Sequence, residues 1–312
     1  MVHLRIVTPH ADRAGVLRVL DDDPAVVNVA VLDDAARKPR GDLILCDIAR
    51  EQASVVISRL RELGIQDRGS ITVELIETQL SQVSIDAERA AAGSPGDAVI
   101  WEEVTARTSE SATLTFTFAA FMALSTLITA VGIFLDSPIL IVGGMVVGPE
   151  FGPIAGFCVA FVAKQRALAA KSAIALAVGF PLAIASALVA SLAFKWTGVT
   201  PDTFTEADHG FADQISHPDF LSFFIAVCAG TAGVLSLSTA KSGALIGVVI
   251  SVTTIPAAAN VGVATAYGDG GAALGSLGQL ALNVAGILLA GVVTLSIQRH
   301  FFRRRAARAG AT

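Results

Sequence analysis

Residues 137–163 read SPILIVGGMVVGPEFGPIAGFCVAFVA, a stretch in which Glu150 is the only charged residue. A helix of about 20 consecutive apolar residues is long enough to cross the hydrocarbon core of a bilayer. The stretch therefore predicts a membrane-spanning segment. The Gly-Pro-Glu-Phe-Gly-Pro run at 148–153 predicts that this helix is interrupted near its middle, because proline removes a main-chain donor and glycine loosens the turn.

Five other stretches of the chain are also long enough to cross the bilayer core, and they carry no charge. They are residues 112–135, 172–194, 220–240, 242–268 and 270–298. Together with 137–163 they predict a polytopic α-helical membrane protein with six transmembrane helices over residues 111–298. Since six is an even number of crossings, both termini are expected on the same side of the membrane.

The distribution of basic residues indicates which side that is. Arg107 precedes the first segment, and lysine and arginine occupy the connections after the second, fourth and sixth segments, ending in a basic tail at 299–312. The opposite connections carry mainly Asp and Glu, including the loop at 195–219 with His209 and His217, for which a cation-attracting vestibule and a plain solvated loop remain alternatives. The positive-inside rule then predicts a multi-pass protein of the bacterial inner (plasma) membrane with both termini cytosolic.

Overall composition agrees with a membrane protein attached to a charged domain. Of 312 residues, 53% are hydrophobic and 16% are charged, against about 25% charged residues in a soluble domain. Residues 1–110 hold 12 Lys and Arg against 19 Asp and Glu, whereas residues 111–312 hold 10 against 8. This pattern excludes a soluble enzyme, a secreted disulfide scaffold and a nucleic-acid binder. Three scattered cysteines are expected to be reduced packing residues, Cys46, Cys158 and Cys228.

The N-terminal residues 1–78 predict a small cytosolic α+β domain. Alternation of polar and apolar residues indicates strands at 3–8, 25–32, 42–48 and 71–76, with helices after the first and third strands. This βαββαβ order predicts a ferredoxin-like fold whose open sheet face can pair with a second copy or hold a small cytosolic metabolite or nucleotide. The polar segment 33–41 is expected to be a connection. Residues 79–110 are expected to form a linker with a short juxtamembrane helix.

Two proline-containing motifs occupy corresponding places in the second and fifth segments. A shift of 103 residues aligns GMVVGPEFGP at 144–153 with GVVISVTTIP at 247–256. Because each half has three crossings, the halves are expected to be inverted repeats with broken second and fifth helices. In many secondary transporters such matched interruptions mark the binding site.

The candidate substrate- or ion-binding residues are the polar and helix-breaking residues of these segments. Glu150 is the strongest candidate, since a carboxylate in mid-membrane must face protein or water, although a purely structural role is the alternative. The full set is Gly148, Pro149, Glu150, Gly152, Pro153, Thr253, Thr254, Pro256, Asn260 and Asn283. No catalytic residue, metal ligand or cofactor is indicated by the sequence.

Four stretches resemble the bacterial uncharacterised hydrophobic domain family (domain of unknown function 389), and the actinobacterial type fits best. They are GDLILCDIAREQASVVISRLRELGIQDRGSITVELIET at 41–78, SPILIVGGMVVGPEFGPIAG at 137–156, IGVVISVTTIPAAANVGVA at 246–264 and LALNVAGILLAG at 280–291. The resemblance implies an integral inner-membrane protein with a cytosolic N-terminal domain. Many relatives carry Ser-Pro-Leu-Met-Gly-Pro at 148–153 and Pro-Pro at 256–257, so a milder interruption is expected here at Pro256.

These observations favour a secondary transporter or channel-like permease for a small solute or ion, assembled as a homo-oligomer in the lipid bilayer. The alternative is a membrane-anchored sensor or scaffold for a metabolite or nucleotide, without transport. An intramembrane enzyme or an ATP-driven pump is not expected, since no His lies in a membrane segment and GxSxG, HExxH and P-loop motifs are absent.

Overall fold

The computed structural model describes residues 1–76, 78–91, 100–200, 210–238 and 244–309, with side chains throughout except at 211, 214, 238, 244–253 and 302–309. The chain divides into two compact units. The first consists of Met1–Val104 with Phe302–Thr312, and the second of Thr105–Phe301.

The first unit is built on a four-stranded antiparallel sheet. Its strands are β1 (Val2–Thr8), β2 (Val26–Arg37), β3 (Arg40–Ile48) and β4 (Ser70–Leu75), in the spatial order β2-β3-β1-β4. A 3-10 turn and four helices accompany them: His10–Asp12, then α1 (Arg13–Asp21), α2 (Arg50–Glu62), α3 (Ile65–Arg68) and α4 (Gln82–Ala90).

Strand register explains the core of this unit. Leu4 lies opposite Cys46 and Ile6 opposite Ile44, and these side chains are buried on one face of the sheet. Side chains alternate between the two faces of a strand. The apolar side chains of one sheet face therefore pack against α1 and α2 in a single hydrophobic cluster. The alternation read from the sequence thus locates all four strands, within a few residues except at the end of β2.

Two segments of this unit differ from their prediction. Residues 33–41 are not simply a connection, because β2 runs on to Arg37 and pairs Ala36 with Gly41 across irregular register. Main-chain hydrogen bonds between the two strands of this hairpin stabilise the extension of β2, although the segment has a polar composition. Within the predicted linker, α4 forms because Ser81 caps it, accepting a 3.3 Å hydrogen bond from the Ser84 N–H. The later part of that linker is the expected helix, α5 (Trp101–Ser111).

The second unit is entirely helical where it is described. Its helices are α6 (Phe116–Phe134), α7 (Pro138–Val147), α8 (Phe151–Ala163), α9 (Arg166–Thr197), α10 (Gly210–Ser216), α11 (Phe220–Ser238), α12 (Ala244–Tyr267) and α13 (Gly270–Ala309). Four helical stretches within the described residues are long and apolar enough to cross a membrane: Phe116–Phe134, Arg166–Thr197, Phe220–Leu237 and Gly270–Phe301. The bent pair of α7 and α8 makes a fifth candidate. The chain is therefore a membrane protein by the length and composition of its helices.

The predicted interruption of the second segment is present. Helices α7 and α8 are separated by Gly148–Glu150 and bent by 51°. The predicted interruption of the fifth segment is wrong, because α12 continues through Pro256 as one helix. Every residue from Thr254 to Ala264 is buried, and neighbouring helices on all sides can hold a proline-containing helix together.

The last helix and the loop before α11 also differ from expectation. The predicted tail at 299–312 is not a separate segment, since α13 runs without a break to Ala309. No helix-stopping residue separates Gln298 from the basic run, and alanine and arginine are strong helix formers. In the loop at 195–219, α9 extends to Thr197 and α10 forms a further short helix, while residues 201–209, including His209, lie outside the described residues.

Candidate functional site

The interruption between α7 and α8 follows from the sequence Gly148-Pro149-Glu150. Gly148 leaves the helix with extended backbone angles, and Glu150 returns to helical angles as the residue that precedes α8. Pro149 has no N–H to continue α7. Pro153 lies in the first turn of α8, where a helix needs no main-chain donor. Both prolines are therefore accommodated at the ends of helices.

Glu150 lies at this interruption with its side chain buried in protein. The residue is 0% exposed, and its Oε1 accepts a 2.9 Å hydrogen bond from Thr254 Oγ1 of α12. Its position just before α8 places the carboxyl group near the positive end of the helix dipole. Glu150 and Thr254 thus form a polar contact, which includes a carboxyl group, between the interrupted segment and α12.

Gly148 permits this contact by having no side chain. A Cβ atom at this position would lie 2.5 Å from Glu150 Oε2 and 3.0 Å from Ile255 Cγ1. The glutamate side chain thus folds back over Gly148, and α12 packs directly against the interruption. Glycine is needed at position 148 because a side chain would not fit there, and not because of the backbone angles.

Helix α12 lies inside the second unit and carries the partner of Glu150. Residues that are apolar on all sides of a helix indicate a buried helix, and Ile255, Ala257, Ala258 and Ala259 are all buried. At Gly262 the helix approaches α9 so closely that a Cβ would lie 2.7 Å from Ile184 O. The central position of α12 explains why its polar residues must find partners within the protein.

Asn260 forms a second polar contact further along α12. Its Nδ2 donates to Ser276 Oγ of α13 at 2.9 Å and to Ser216 Oγ of α10 at 3.3 Å. All three residues are buried. Because a helix rises about 1.5 Å per residue, Asn260 lies roughly 9 Å along α12 from Thr254, so the two polar contacts are separate groups on one helix.

Asn283 belongs to a polar stripe on α13. Its Oδ1 accepts a 3.3 Å hydrogen bond from Gln279 Nε2. Ser276, Gln279 and Asn283 are spaced by three and four residues, which places them on one helical face, and all are buried.

The remaining predicted site residues lie around these groups or outside them. Gly152 packs against the main chain of Ser111, where a Cβ would lie 2.8 Å from the Ser111 oxygen, so it serves packing with the end of α5. Pro256 is buried in α12 two residues after Thr254. The side chain of Thr253 lies outside the described residues.

Several polar residues of the bundle were not singled out from the sequence. Ser216, Ser276 and Gln279 complete the contacts of Asn260 and Asn283. The spacing of polar residues in the sixth segment could have revealed the last two. On α6, Ser125 donates to Gly144 O at 2.7 Å and Thr126 to Ala183 O at 3.1 Å. These hydroxyls join α6 to α7 and α9.

Comparison with known proteins gives one match, to a protein family. No curated protein and no solved structure matches the chain. Residues 145–289 match the family described as "Domain of unknown function (DUF389)", and this range contains every candidate site residue from Gly148 to Asn283. The description assigns no function. The chain is thus similar to the DUF389 family over residues 145–289, a range that contains most of the interrupted segment and the polar residues of α12 and α13.

Proposed function

We propose that this membrane protein is a secondary transporter or channel-like permease for a small solute or ion. One observation carries the proposal: the fully buried Glu150 lies at a helix interruption and is hydrogen-bonded to Thr254 of the central helix α12. Acidic residues at such depth cost about 2.5–3.5 kcal/mol on insertion scales and commonly mark ion or proton pathways. The interruption exposes main-chain groups that can bind a solute.

The binding site we propose extends from this contact along α12 and α13. Glu150 with Gly148, Pro149 and Thr254 would form its acidic part. Asn260 and Asn283 would supply neutral amides further along, and the other members of the set flank them: Gly152, Pro153, Thr253 and Pro256. The role is not enzymatic, a proposal supported by the lack of catalytic motifs in the sequence.

For the membrane topology, we propose six crossings in an inverted 3+3 arrangement, with both termini cytosolic in a bacterial inner membrane. The 24 residues of α12 span about 36 Å, which is enough for a crossing. The charge bias of the connections supports the orientation. The strand order β2-β3-β1-β4 supports a ferredoxin-like domain, and a homo-oligomer would cover its open face.

The test uses the full chain in liposomes that contain a pH-sensitive dye. Proton flux under an imposed potential is compared with solute entry, measured as swelling with polyols, amino acids and organic acids. We expect flux above that of protein-free liposomes, abolished by Glu150→Gln and retained in the exposed control Glu110→Gln. Flux that is equal in the wild type and Glu150→Gln would contradict the role of Glu150.

The alternative function, a membrane-anchored sensor without transport, is favoured by a different observation. The first unit contains a cavity beside α4 whose walls include polar side chains. If no probe crosses the liposome membrane in any arm of the assay, this alternative replaces the transporter.

A further inference from the structure

The sheet of the first unit ends in strand β4, which leaves one side of that strand open for pairing. In the spatial order β2-β3-β1-β4 the two edge strands are β2 and β4, and no other strand of the described residues pairs with the far side of β4. An edge strand presents a row of main-chain donors and acceptors on which another strand can pair. The free edge of β4 is therefore a candidate interaction surface.

The two edges of the sheet differ in how well they could accept another strand. Along β2 the pairing register shifts twice, and both Asn28 and Asp34 have positive φ angles. Bulges and charged residues of this kind protect an edge against further pairing. Strand β4 (Ser70–Leu75) follows β1 without a register shift and contains no Pro, Gly, Lys or Arg. A further strand therefore fits at β4 and not at β2.

The hydrogen-bond pattern shows which residues of β4 face the free edge. The Ile76 N–H donates a 3.4 Å hydrogen bond to Met1 O, so this pair, which continues the register of β4 on β1, is a hydrogen-bonded one. Hydrogen-bonded and non-hydrogen-bonded pairs alternate along an antiparallel ladder. The even-numbered residues of β4 therefore bond to β1, and the odd-numbered residues direct their N–H and C=O groups outward. The outward-facing residues are Ile71, Val73 and Leu75.

A second copy of β4 fits this edge in one antiparallel register. With Val73 on the two-fold axis, residues 70–76 of the two copies pair along their whole length, and outward-facing groups meet outward-facing groups. Either neighbouring register shortens the pairing. One of them also places the two Glu74 carboxylates directly opposite each other, which destabilises a sheet.

The side chains on both faces of β4 suit the same register. On the open face, Thr72 of one copy lies opposite Glu74 of the other. Arg5 of β1 already reaches over β4, since its Nη2 donates a 3.5 Å hydrogen bond to Thr72 Oγ1. The guanidinium thus lies in the row that leads to the Glu74 carboxylate of the second copy, and opposite charges on neighbouring strands stabilise a sheet. On the core face, Leu75 is 39% exposed and would be covered by Ile71 of the second copy.

We propose that two copies of the first unit join edge to edge through β4, so that their two four-stranded sheets become one continuous antiparallel sheet. The partner is a second copy because the edge is self-complementary: one chain supplies both the Arg5 guanidinium and the Glu74 carboxylate. A two-fold contact of this kind uses the same patch on both copies and closes on itself. The inference rests on the homo-oligomer proposed above and adds a contact at the sheet edge to the one at the open face.

Cysteine cross-linking of the full chain in detergent tests this register. A non-hydrogen-bonded antiparallel pair places its Cα atoms about 4.5 Å apart, a distance that a disulfide bridges. Chains with Thr72→Cys and chains with Glu74→Cys carry different affinity tags, and Cys228→Ser removes the exposed native thiol from both. The two chains are co-expressed and oxidised. We expect rapid cross-linking between unlike chains and little between like chains, whose cysteines would lie about 7–8 Å apart on the diagonal.

The control for this assay keeps one cysteine and moves the other. A mixture of Thr72→Cys with Ser70→Cys chains should not cross-link, because position 70 lies four residues from the partner of position 72 in the proposed register. Absence of a cross-link between Thr72→Cys and Glu74→Cys chains overturns the proposal. Equally fast cross-linking between like chains overturns it too, since that would require a different register.

A proline variant separates pairing from folding. Val73→Pro removes an N–H that points outward, at the kind of edge position where a strand tolerates proline. Added to both cysteine chains, it should slow cross-linking about tenfold or more, the effect of the hydrogen bonds lost at the centre of the pairing. Thr72→Pro removes an N–H that bonds to β1, so it should instead open the sheet and expose the buried Cys46 thiol.

Unchanged cross-linking in the Val73→Pro chains would show that the cysteines meet by collision, and it would overturn the proposal. Cross-linking does not depend on flux. A sheet edge that stays unpaired therefore leaves the transport role of Glu150 unaffected, and a chain without flux can still pair through β4.

Discussion

Thr254 Oγ1 donates a 2.9 Å hydrogen bond to Glu150 Oε1 across 104 positions of sequence. The pair joins the interrupted second segment to the continuous helix α12. Gly148 makes the approach possible, since a side chain there would collide with both the Glu150 carboxyl and Ile255. The Glu150 carboxyl group is thus held in a defined position by a hydrogen bond and by packing against Gly148.

Removing the Thr254 hydroxyl should separate the structural from the functional role of Glu150. Thr254→Val keeps the shape of the side chain but deletes the donor, so we expect the free energy of unfolding to fall by about 1–2 kcal/mol. Glu150→Gln keeps an oxygen that can accept from Thr254, so its loss should be smaller. Unfolding in detergent mixtures measures both.

Proton flux should rank the same two variants in the opposite order. Glu150→Gln is expected to abolish flux, whereas Thr254→Val should keep a measurable fraction, because the carboxyl remains. The matched control is Thr197→Val, at an exposed position near the end of α9. If Thr254→Val and Glu150→Gln lose flux equally while the control does not, the carboxyl has no role distinct from its contact.

A pair of glycine variants tests the packing at the interruption. Gly148→Ala should destabilise the protein by about 1–3 kcal/mol, because its Cβ would displace a carboxyl that Thr254 holds. Gly143→Ala is the control within α7, where the added Cβ would lie within 4 Å of no described atom outside the backbone of its own helix. It should be neutral or slightly stabilising. Thermal unfolding of the two purified variants gives the comparison, and equal midpoints would show that Gly148 is not needed for space.

The sequence predicts the interruption at Gly148–Glu150 but misjudges Pro256. Gly148-Pro149 and Pro153 act within a few residues, and their effect on the helix is local. Whether one isolated proline breaks a helix depends on its neighbours, and the residues Thr254 to Ala264 are buried on all sides. That packing is a property of the tertiary structure, which hydropathy and residue spacing do not contain.

The same distinction between local pattern and tertiary packing applies to the N-terminal domain. Alternating apolar residues such as Leu4 and Ile6 predict strands, because alternation places the apolar side chains on one face, which is then buried. The extension of β2 through Asp33 and Asp34 has no such pattern, since it depends on pairing with β3. The polar partners of Asn260 were also hidden, because Ser216 and Ser276 lie far from it in sequence and are brought together only by the fold.

Asn260 and Ser276 should show energetic coupling. Their 2.9 Å hydrogen bond is buried in the bundle, and such bonds between membrane helices average about 0.6 kcal/mol, with a maximum near 1.7 kcal/mol. A double-mutant cycle with Asn260→Ala and Ser276→Ala, measured by unfolding in detergent mixtures, should give a coupling in this range. Additive effects would mean that the contact contributes nothing to stability.

The last prediction concerns acid stability of the first unit. The pKa of Asp42 lies below its ordinary value because the Asp34 N–H donates a 2.8 Å hydrogen bond to its Oδ1, assisted by His10. A lowered folded-state pKa stabilises the domain above the ordinary carboxyl pKa, about 3.9, and this contribution is lost as the pH falls through the folded value. The wild type should therefore lose stability below about pH 4.

The buried thiol of Cys46 reports this unfolding. Burial raises its pKa to about 12, so it reacts only when the sheet opens, and dithiodipyridine labels thiols even in acid. Asp42→Asn should label faster than the wild type at neutral pH and show a weaker acceleration in acid, because the titrating group is gone. The control Asp86→Asn changes an exposed carboxyl of α4 and should leave the pH dependence intact. An unaltered acid profile in Asp42→Asn would assign the acid sensitivity to another group, with Asp47, whose pKa is also lowered in the folded state, as the next residue to replace.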